Sequence, residues 1–185
     1  PYQQVFKRTE LIEIEDYGKF EGYANRDSLK YRELYDLKDI KTIFRGTLRR
    51  VGFCKAWDKL VTLGMTDDST VIKNAKGMTY RAFTNLFLAY HPTDSVEVKF
   101  YRTLNISQDD FAIKEKMDFL GLFSADKIDL NQGSPAQILQ EILEKRWVLS
   151  KVDKDMIVMW HKFKYVENSQ KKEIRSSLVV EGESQ

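Results

Sequence analysis

The sequence predicts an α+β chain in which a partial sheet domain, mixed or antiparallel, carries an inserted all-helical subdomain. Three observations lead there. Both ends of the chain alternate apolar and polar residues as half-buried strands do, the middle repeats apolar residues at helical spacing, and the helical stretches open on residues that cap helices. Sheet-forming sequence that stops, gives way to helices and then resumes is the pattern of one subdomain inserted into another. The expected boundaries are 1–64 for the first part of the α+β domain, 65–150 for the helical insertion and 151–185 for a β-hairpin returning to that domain.

In chain order, Val5 to Glu15 is rich in β-branched and aromatic residues and alternates apolar with acidic from Leu11 onward, so it reads as a strand. Gly18 breaks the pattern before a short segment Phe20-Glu21-Gly22-Tyr23. Asn25-Arg26-Asp27-Ser28 then leads into a helical stretch from Leu29 to Tyr35, with Asp27 or Ser28 as its cap. Lys41 to Arg49 reads as a strand interrupted by Gly46, a residue that inside a strand marks a bulge or a close approach. A helix from Phe53 to Leu63 follows, closed by Gly64.

Helical spacing governs Tyr80–Tyr90, Val96–Leu104, Phe111–Leu120 and Ala136–Val148. Their starts carry Thr79, Thr93-Asp94-Ser95, Ser107 before Gln108-Asp109-Asp110, and Ser134 with Pro135 at the first helical position. Alternation returns in Met156–Val166 and Glu173–Glu181 around the polar stretch Glu167-Asn168-Ser169-Gln170, which predicts a hairpin. Both ends stop inside strand-like sequence, so a fragment of a longer protein is expected.

A chain of 185 residues with 42% hydrophobic and 12% aromatic content can bury a core of ordinary size, and a soluble, cytoplasmic globular protein is expected. No apolar run approaches the roughly 18 residues of a membrane span, and the N-terminus lacks a signal-peptide pattern. Thirty basic residues interspersed with 28 acidic ones give a net charge of +2, which does not call for nucleic acid. Neither a membrane nor a nucleic acid is therefore an expected partner. The single cysteine, Cys54, excludes an internal disulfide and a multi-cysteine zinc site, and with only His91 and His161 no metal is expected.

The densest polar cluster joins Asn25-Arg26-Asp27-Ser28 to Arg45-Gly46-Thr47-Leu48-Arg49-Arg50. A guanidinium presents a planar fork of donors that matches a carboxylate in two parallel hydrogen bonds, so this cluster suits a carboxylate ligand. On a strand Arg45, Thr47 and Arg49 share a face and could converge on one ligand. The structural alternative is that these arginines pair with Asp27, Glu33 or Asp36, or solvate a sheet face. Cys54 lies in an amphipathic helix with no histidine nearby to activate it, and His91 and His161 read as loop and strand residues. Trp57, Trp147 and Trp160 read as core or subdomain contacts. No G-x-G-x-x-G, P-loop, nucleophile elbow or zinc signature is present.

Glu21-Gly22-Tyr23-Ala24-Asn25-Arg26-Asp27-Ser28, with Lys30-Tyr31 and Tyr35, resembles the EGYPNRDS segment of saccharopine dehydrogenases and of the corresponding half of bifunctional aminoadipic semialdehyde synthases. Thr42-Ile43-Phe44-Arg45-Gly46-Thr47-Leu48-Arg49 resembles the family's TLLRGTLR strand, Val51–Gly64 its next helix, and Lys154–Met159 its KDMIVM strand. Ala24 departs from the usual proline, and Asp36 from a common glycine. The resemblance implies the C-terminal, substrate-binding domain of a two-part dehydrogenase of lysine metabolism. Such an enzyme interconverts saccharopine with glutamate and 2-aminoadipate 6-semialdehyde by hydride transfer, using NADP or NAD held on an N-terminal Rossmann domain absent from these residues.

Carried over by position, Arg26, Thr47, Leu48 and Arg49 are expected to bind substrate, with Asn25, Asp27 and Arg45 in support. No general acid or base is assigned, and no cofactor is expected on this chain alone, which would then be inactive. Its expected partners are saccharopine or glutamate and its own Rossmann domain, with a homodimer left open. The alternative is a non-catalytic regulatory or interaction module whose helical block binds a partner helix.

Overall fold

The computed structural model describes residues 2–25 and 27–182. A short 3-10 helix, Tyr2–Lys7, precedes β1 (Thr9–Ile14), β2 (Gly18–Ala24), α1 (Tyr31–Leu34), β3 (Gly46–Arg50) and α2 (Phe53–Leu63). Then come α3 (Tyr80–Asn85), α4 (Val96–Thr103), α5 (Phe111–Leu120), α6 (Pro135–Arg146), β4 (Met156–Glu167) and β5 (Gln170–Glu181). The order β1-β2-β3 makes one sheet, and β4 and β5 make a second of two strands. The fold class is thus α+β.

Three sheet-forming segments differ from expectation. Residues before Thr9 turn as a 3-10 helix instead of extending β1. Phe6 thereby packs its ring 4.9 Å from Tyr23 and 6.4 Å from Trp57, in a cluster with Cys54 and Val61. Burial of that ring overrides local β preference. Conversely β2, read only as a short segment after a break, is a full strand. Its inward positions are Phe20 and Gly22, and a glycine among them hides the alternation. A Cβ on Gly22 would lie 3.3 Å from both Ile12 Cδ1 and Leu48 Cδ2, so the close approach of the neighbouring side chains favours the bare backbone.

β3 begins only at Gly46, and Lys41–Arg45 lies outside it. β2 and β3 are antiparallel, with Phe20 opposite Arg50, Glu21 opposite Arg49, Gly22 opposite Leu48, Tyr23 opposite Thr47 and Ala24 opposite Gly46. A Cβ on Gly46 would sit 2.6 Å from the Tyr23 carbonyl oxygen. The close approach signalled by this glycine is therefore to the backbone of the neighbouring strand.

The helices form where apolar periodicity and caps agree. Thr79, Ser95 and Asp110 accept hydrogen bonds from the amides of Ala82, Val98 and Ile113, respectively, and Ser134 and Gln137 exchange a reciprocal capping box. Within the expected stretch Ser107-Gln108-Asp109-Asp110 it is Asp110 that caps α5, while the Ser107 hydroxyl accepts from the Asp109 amide in the turn before it. α3 ends at Asn85, short of Tyr90, because the amides of Leu86, Phe87 and Leu88 bond back three residues and tighten the chain out of the helix.

One apolar core gathers Leu60 and Met65 with Phe83, Phe100, Met117, Leu122, Ile138 and Ile142. α2 has two apolar sides: Ala56 and Leu60 enter this core, while Cys54 and Val61 enter the cluster around Phe6. α2 therefore sets the position of everything attached to its N-terminus.

The chain divides into two compact units, Pro1–Ile12 with Lys19–Trp147, and Glu13–Gly18 with Val148–Gln185. In the second, β4 and β5 pair without interruption from Met156 opposite Glu181 to Glu167 opposite Gln170. Their two-residue turn holds Asn168 at φ 51 and Ser169 at φ 62, the left-handed pair that matches the twist of a hairpin.

Candidate functional site

The polar cluster of the sequence comes together at the β2–β3 end of the first sheet. The Asn25 amide donates to the Arg45 carbonyl at 2.9 Å, and the Thr47 hydroxyl donates to Asn25 Oδ1 at 2.8 Å. The Arg45 amide donates to Ser28 Oγ at 3.1 Å. Asp27 Oδ1 accepts from the amides of Leu29 at 3.0 Å and Lys30 at 3.4 Å, ordering the turn before α1. Asn25, Asp27 and Ser28 thus serve backbone geometry, holding the chain before β3 against the chain after β2. Arg26 lies outside the described residues.

The arginines are held by aromatic rings. Arg45 lies with its guanidinium carbon 3.4 Å from the centroid of Tyr31, and Arg49 5.5 Å from that of Phe53, the first residue of α2. Arg49 is exposed and donates one hydrogen bond, to the Leu48 carbonyl at 3.0 Å. Neither arginine has a carboxylate partner among the described residues, so the pairing with Asp27, Glu33 or Asp36 is not seen. A guanidinium carries five N–H donors, which leaves most of those on Arg49 available to an anion. Arg45 and Arg49 rest against different helices, α1 and α2. Arg50, on the opposite face, lies 4.5 Å from the Phe20 ring.

Sequence reasoning left Glu21 without a role. α2 has Gly52, at φ 92, as its N-cap residue, with no side-chain cap of its own and no acidic residue in its first turn. Glu21 supplies both: Oε1 accepts from the Gly52 amide and Oε2 from the Cys54 amide, each at 2.9 Å. A carboxylate at a helix N-terminus answers orphan donors and the positive end of the dipole at once. Hydrogen bonds of this charged kind contribute about 1.5–3 kcal/mol each. The missing local cap before Phe53 was the signal in the sequence that a remote acceptor must exist.

Cys54 is 2% exposed, and its thiol is pushed up to about 12 by burial, then by its hydrogen bond to Glu21 and by that carboxylate's charge, with Arg49 opposing. A thiol held there has almost no thiolate at neutral pH. His91 Nδ1 accepts from the Asp94 amide at 3.2 Å, and His161 stacks on Phe163 with centroids 6.0 Å apart. Among the described residues no group of three metal-ligating side chains converges, and no helix is long and apolar enough to cross a membrane.

Comparison with known proteins bears on this arrangement. A family model described as saccharopine dehydrogenase C-terminal domain matches residues 1–185. The chain is similar to saccharopine dehydrogenase (NADP+, L-glutamate-forming) of Schizosaccharomyces pombe, 26% identical over 169 residues that cover 88% of this chain and 37% of that protein. Its counterpart of the same name in Saccharomyces cerevisiae is 31% identical over 150 residues, covering 78% and 33%. The solved apo structure of histidine-tagged saccharopine dehydrogenase (L-Glu forming) from Saccharomyces cerevisiae overlays with a TM-score of 0.81 at 26% identity, covering 97% of this chain and 41% of that one. The chain thus spans about a third of the length of the curated relatives it matches. With a family match along its whole length, this chain belongs to the saccharopine dehydrogenase C-terminal domain family.

Proposed function

We propose that this chain is the substrate-binding part of a saccharopine dehydrogenase, an NADP- or NAD-dependent oxidoreductase of lysine metabolism. It would interconvert saccharopine with glutamate and 2-aminoadipate 6-semialdehyde. The observation that carries the proposal is the pair Arg45 and Arg49, fixed against aromatic rings and without a carboxylate partner among the described residues. A substrate with several carboxylates supplies the counter-ion that Arg49 lacks. Arg49 takes one carboxylate, with Thr47 and Leu48 fixing the strand that presents it and Arg26 contributing a second guanidinium. Asn25, Asp27 and Arg45 support the loop. Binding energy at these remote carboxylates orients the reacting carbon–nitrogen bond.

The nicotinamide cofactor supplies the hydride, and the described residues do not fit its pyrophosphate. That group is commonly held at an open helix N-terminus. The N-terminus of α2 is filled by the Glu21 carboxylate, those of α3, α4, α5 and α6 by their own caps, and the amides leading into the four-residue α1 by the Asp27 carboxylate. We accordingly place the cofactor on a separate N-terminal Rossmann domain and assign this chain positioning alone. Within it, residues 65–150 form a helical insertion between the two sheet-forming parts, and a reducing, cytoplasmic setting suits its one free thiol.

Calorimetric titration of saccharopine into the full-length protein, with dinucleotide present, tests the reading. Saccharopine should bind, and Arg49→Ala and Arg26→Ala should each weaken binding at least about tenfold, as expected for losing one charge-assisted pair. Unchanged affinity in both variants would overturn the assignment and favour the interaction-module alternative.

A further inference from the structure

We propose that Glu21 is a positioning residue for substrate binding, acting through the N-terminus of α2 on Arg49. The inference rests on the proposed function above and concerns how the same site is held. Glu21 stands opposite Arg49 in the β2–β3 register, yet its carboxylate reaches past that arginine to the amides of Gly52 and Cys54. Those amides lie on either side of Phe53, whose ring carries the Arg49 guanidinium at 5.5 Å and stacks on Trp57 at 5.7 Å with planes only 9° apart. One carboxylate therefore fixes the corner where β3 becomes α2, the corner fixes Phe53, and Phe53 fixes the direction of Arg49.

An alternative use of Glu21, as the counter-ion that would neutralise Arg49, is not what the geometry shows. Both carboxylate oxygens are engaged by backbone amides at 2.9 Å, and Arg49 donates to the Leu48 carbonyl instead. Glu21 orients the guanidinium without occupying it. The arrangement leaves the charge of Arg49 for a ligand while removing its freedom to wander, which is the requirement for a preorganised carboxylate site.

The test uses the full-length dehydrogenase and compares Arg49→Ala, Glu21→Ala and Glu21→Gln. Saccharopine KM and kcat are measured, with circular dichroism as a check of folding. Misdirecting a binding group by a fraction of an ångström to an ångström lowers efficiency severely, so Glu21→Ala should raise KM about tenfold and leave kcat within about twofold. Glutamine keeps one acceptor oxygen, so Glu21→Gln should restore KM to within about threefold of wild type. Arg49→Ala raising KM while both Glu21 variants leave it unchanged would overturn this inference and spare the function. An unchanged KM in Arg49→Ala would overturn both. If Glu21→Ala does not fold, Glu21→Gln decides: because it keeps one of the two acceptors, a KM raised about twofold to threefold with kcat kept supports the positioning role, and a KM indistinguishable from wild type refutes it.

Discussion

Replacing Gly46 by alanine tests whether the β2–β3 contact is as tight as the structure shows. The added Cβ would meet the Tyr23 carbonyl oxygen at 2.6 Å, the Tyr23 carbonyl carbon at 3.3 Å and Phe44 Cε1 at 3.0 Å. Ordinary contact begins near 3.4 Å, so the oxygen is overlapped by most of an ångström. That oxygen belongs to the backbone of the partner strand and cannot swing away, unlike the Phe44 ring. Overpacking that displaces backbone costs about 1–3 kcal/mol, and this site belongs in the upper half of that range. For a chain of this size 1 kcal/mol moves Tm by about 2–4 °C, which gives a fall of roughly 5–10 °C by calorimetry or circular dichroism. Gly22→Ala is the control. Its Cβ would meet two side-chain tips at 3.3 Å, which can yield, so its effect should be smaller. A Gly46→Ala protein that melts within about 1 °C of wild type, or above Gly22→Ala, would show that β3 does not approach β2 this closely.

Acid should destabilise the helical core through Glu97. Burial pushes its carboxyl up, but the hydrogen bonds from Arg81, from its own amide and from Ser95 together outweigh burial and hold it below 4.5. Its contribution is therefore complete above pH 4.5 and lost as pH falls through the depressed value; Glu97→Gln should flatten that acid limb of a stability-versus-pH curve. A limb of unchanged steepness would remove Glu97 from the account. In the hairpin, Ser169 sits at φ 62, where a side chain costs about 1 kcal/mol relative to glycine, so Ser169→Gly should stabilise β4–β5 by about that amount. Slower amide exchange across the β4–β5 ladder is the expected sign, and faster exchange would contradict it.

How much of this was legible in the sequence depended on whether the decisive partner was local. α2 and α5 match their expected limits residue for residue, because apolar spacing and the glycines that close them mark those limits locally. The hairpin follows from alternation around Asn168-Ser169 in the same way. β2 escaped because an inward glycine interrupts its alternation, and only the nearness of Ile12 and Leu48 explains that glycine. Phe6 leaves the expected first strand for partners far along the chain, Tyr23 and Trp57.

At the site, the cluster Asn25, Asp27, Arg45, Thr47 and Arg49 was visible as composition, and the β2–β3 end of the sheet joins Asn25 to Arg45 and Thr47, while Arg49 lies apart on the Phe53 ring. Its division of labour was not visible. The Asp27 carboxylate serves backbone amides, the Asn25 side chain accepts from the Thr47 hydroxyl, and the two arginines rest on rings of different helices. Nothing near Glu21 in the sequence marks its role, which depends on the distant amides of Gly52 and Cys54.

The remote cap of α2 also constrains the order of folding. The acceptor and its two amides are separated by 31 and 33 residues, so the cap forms only after that stretch has closed on itself. An isolated helix needs about 12–15 residues to persist in water, and α2 has 11. Its first turn must therefore wait for β2 to meet β3, whereas the β4–β5 hairpin, closed by two residues, can zip in about 1–10 μs on local contacts alone. During synthesis Glu21 leaves the ribosome first and stays unengaged until Cys54 follows it out, which makes this corner a late event in a part of the chain that is made early.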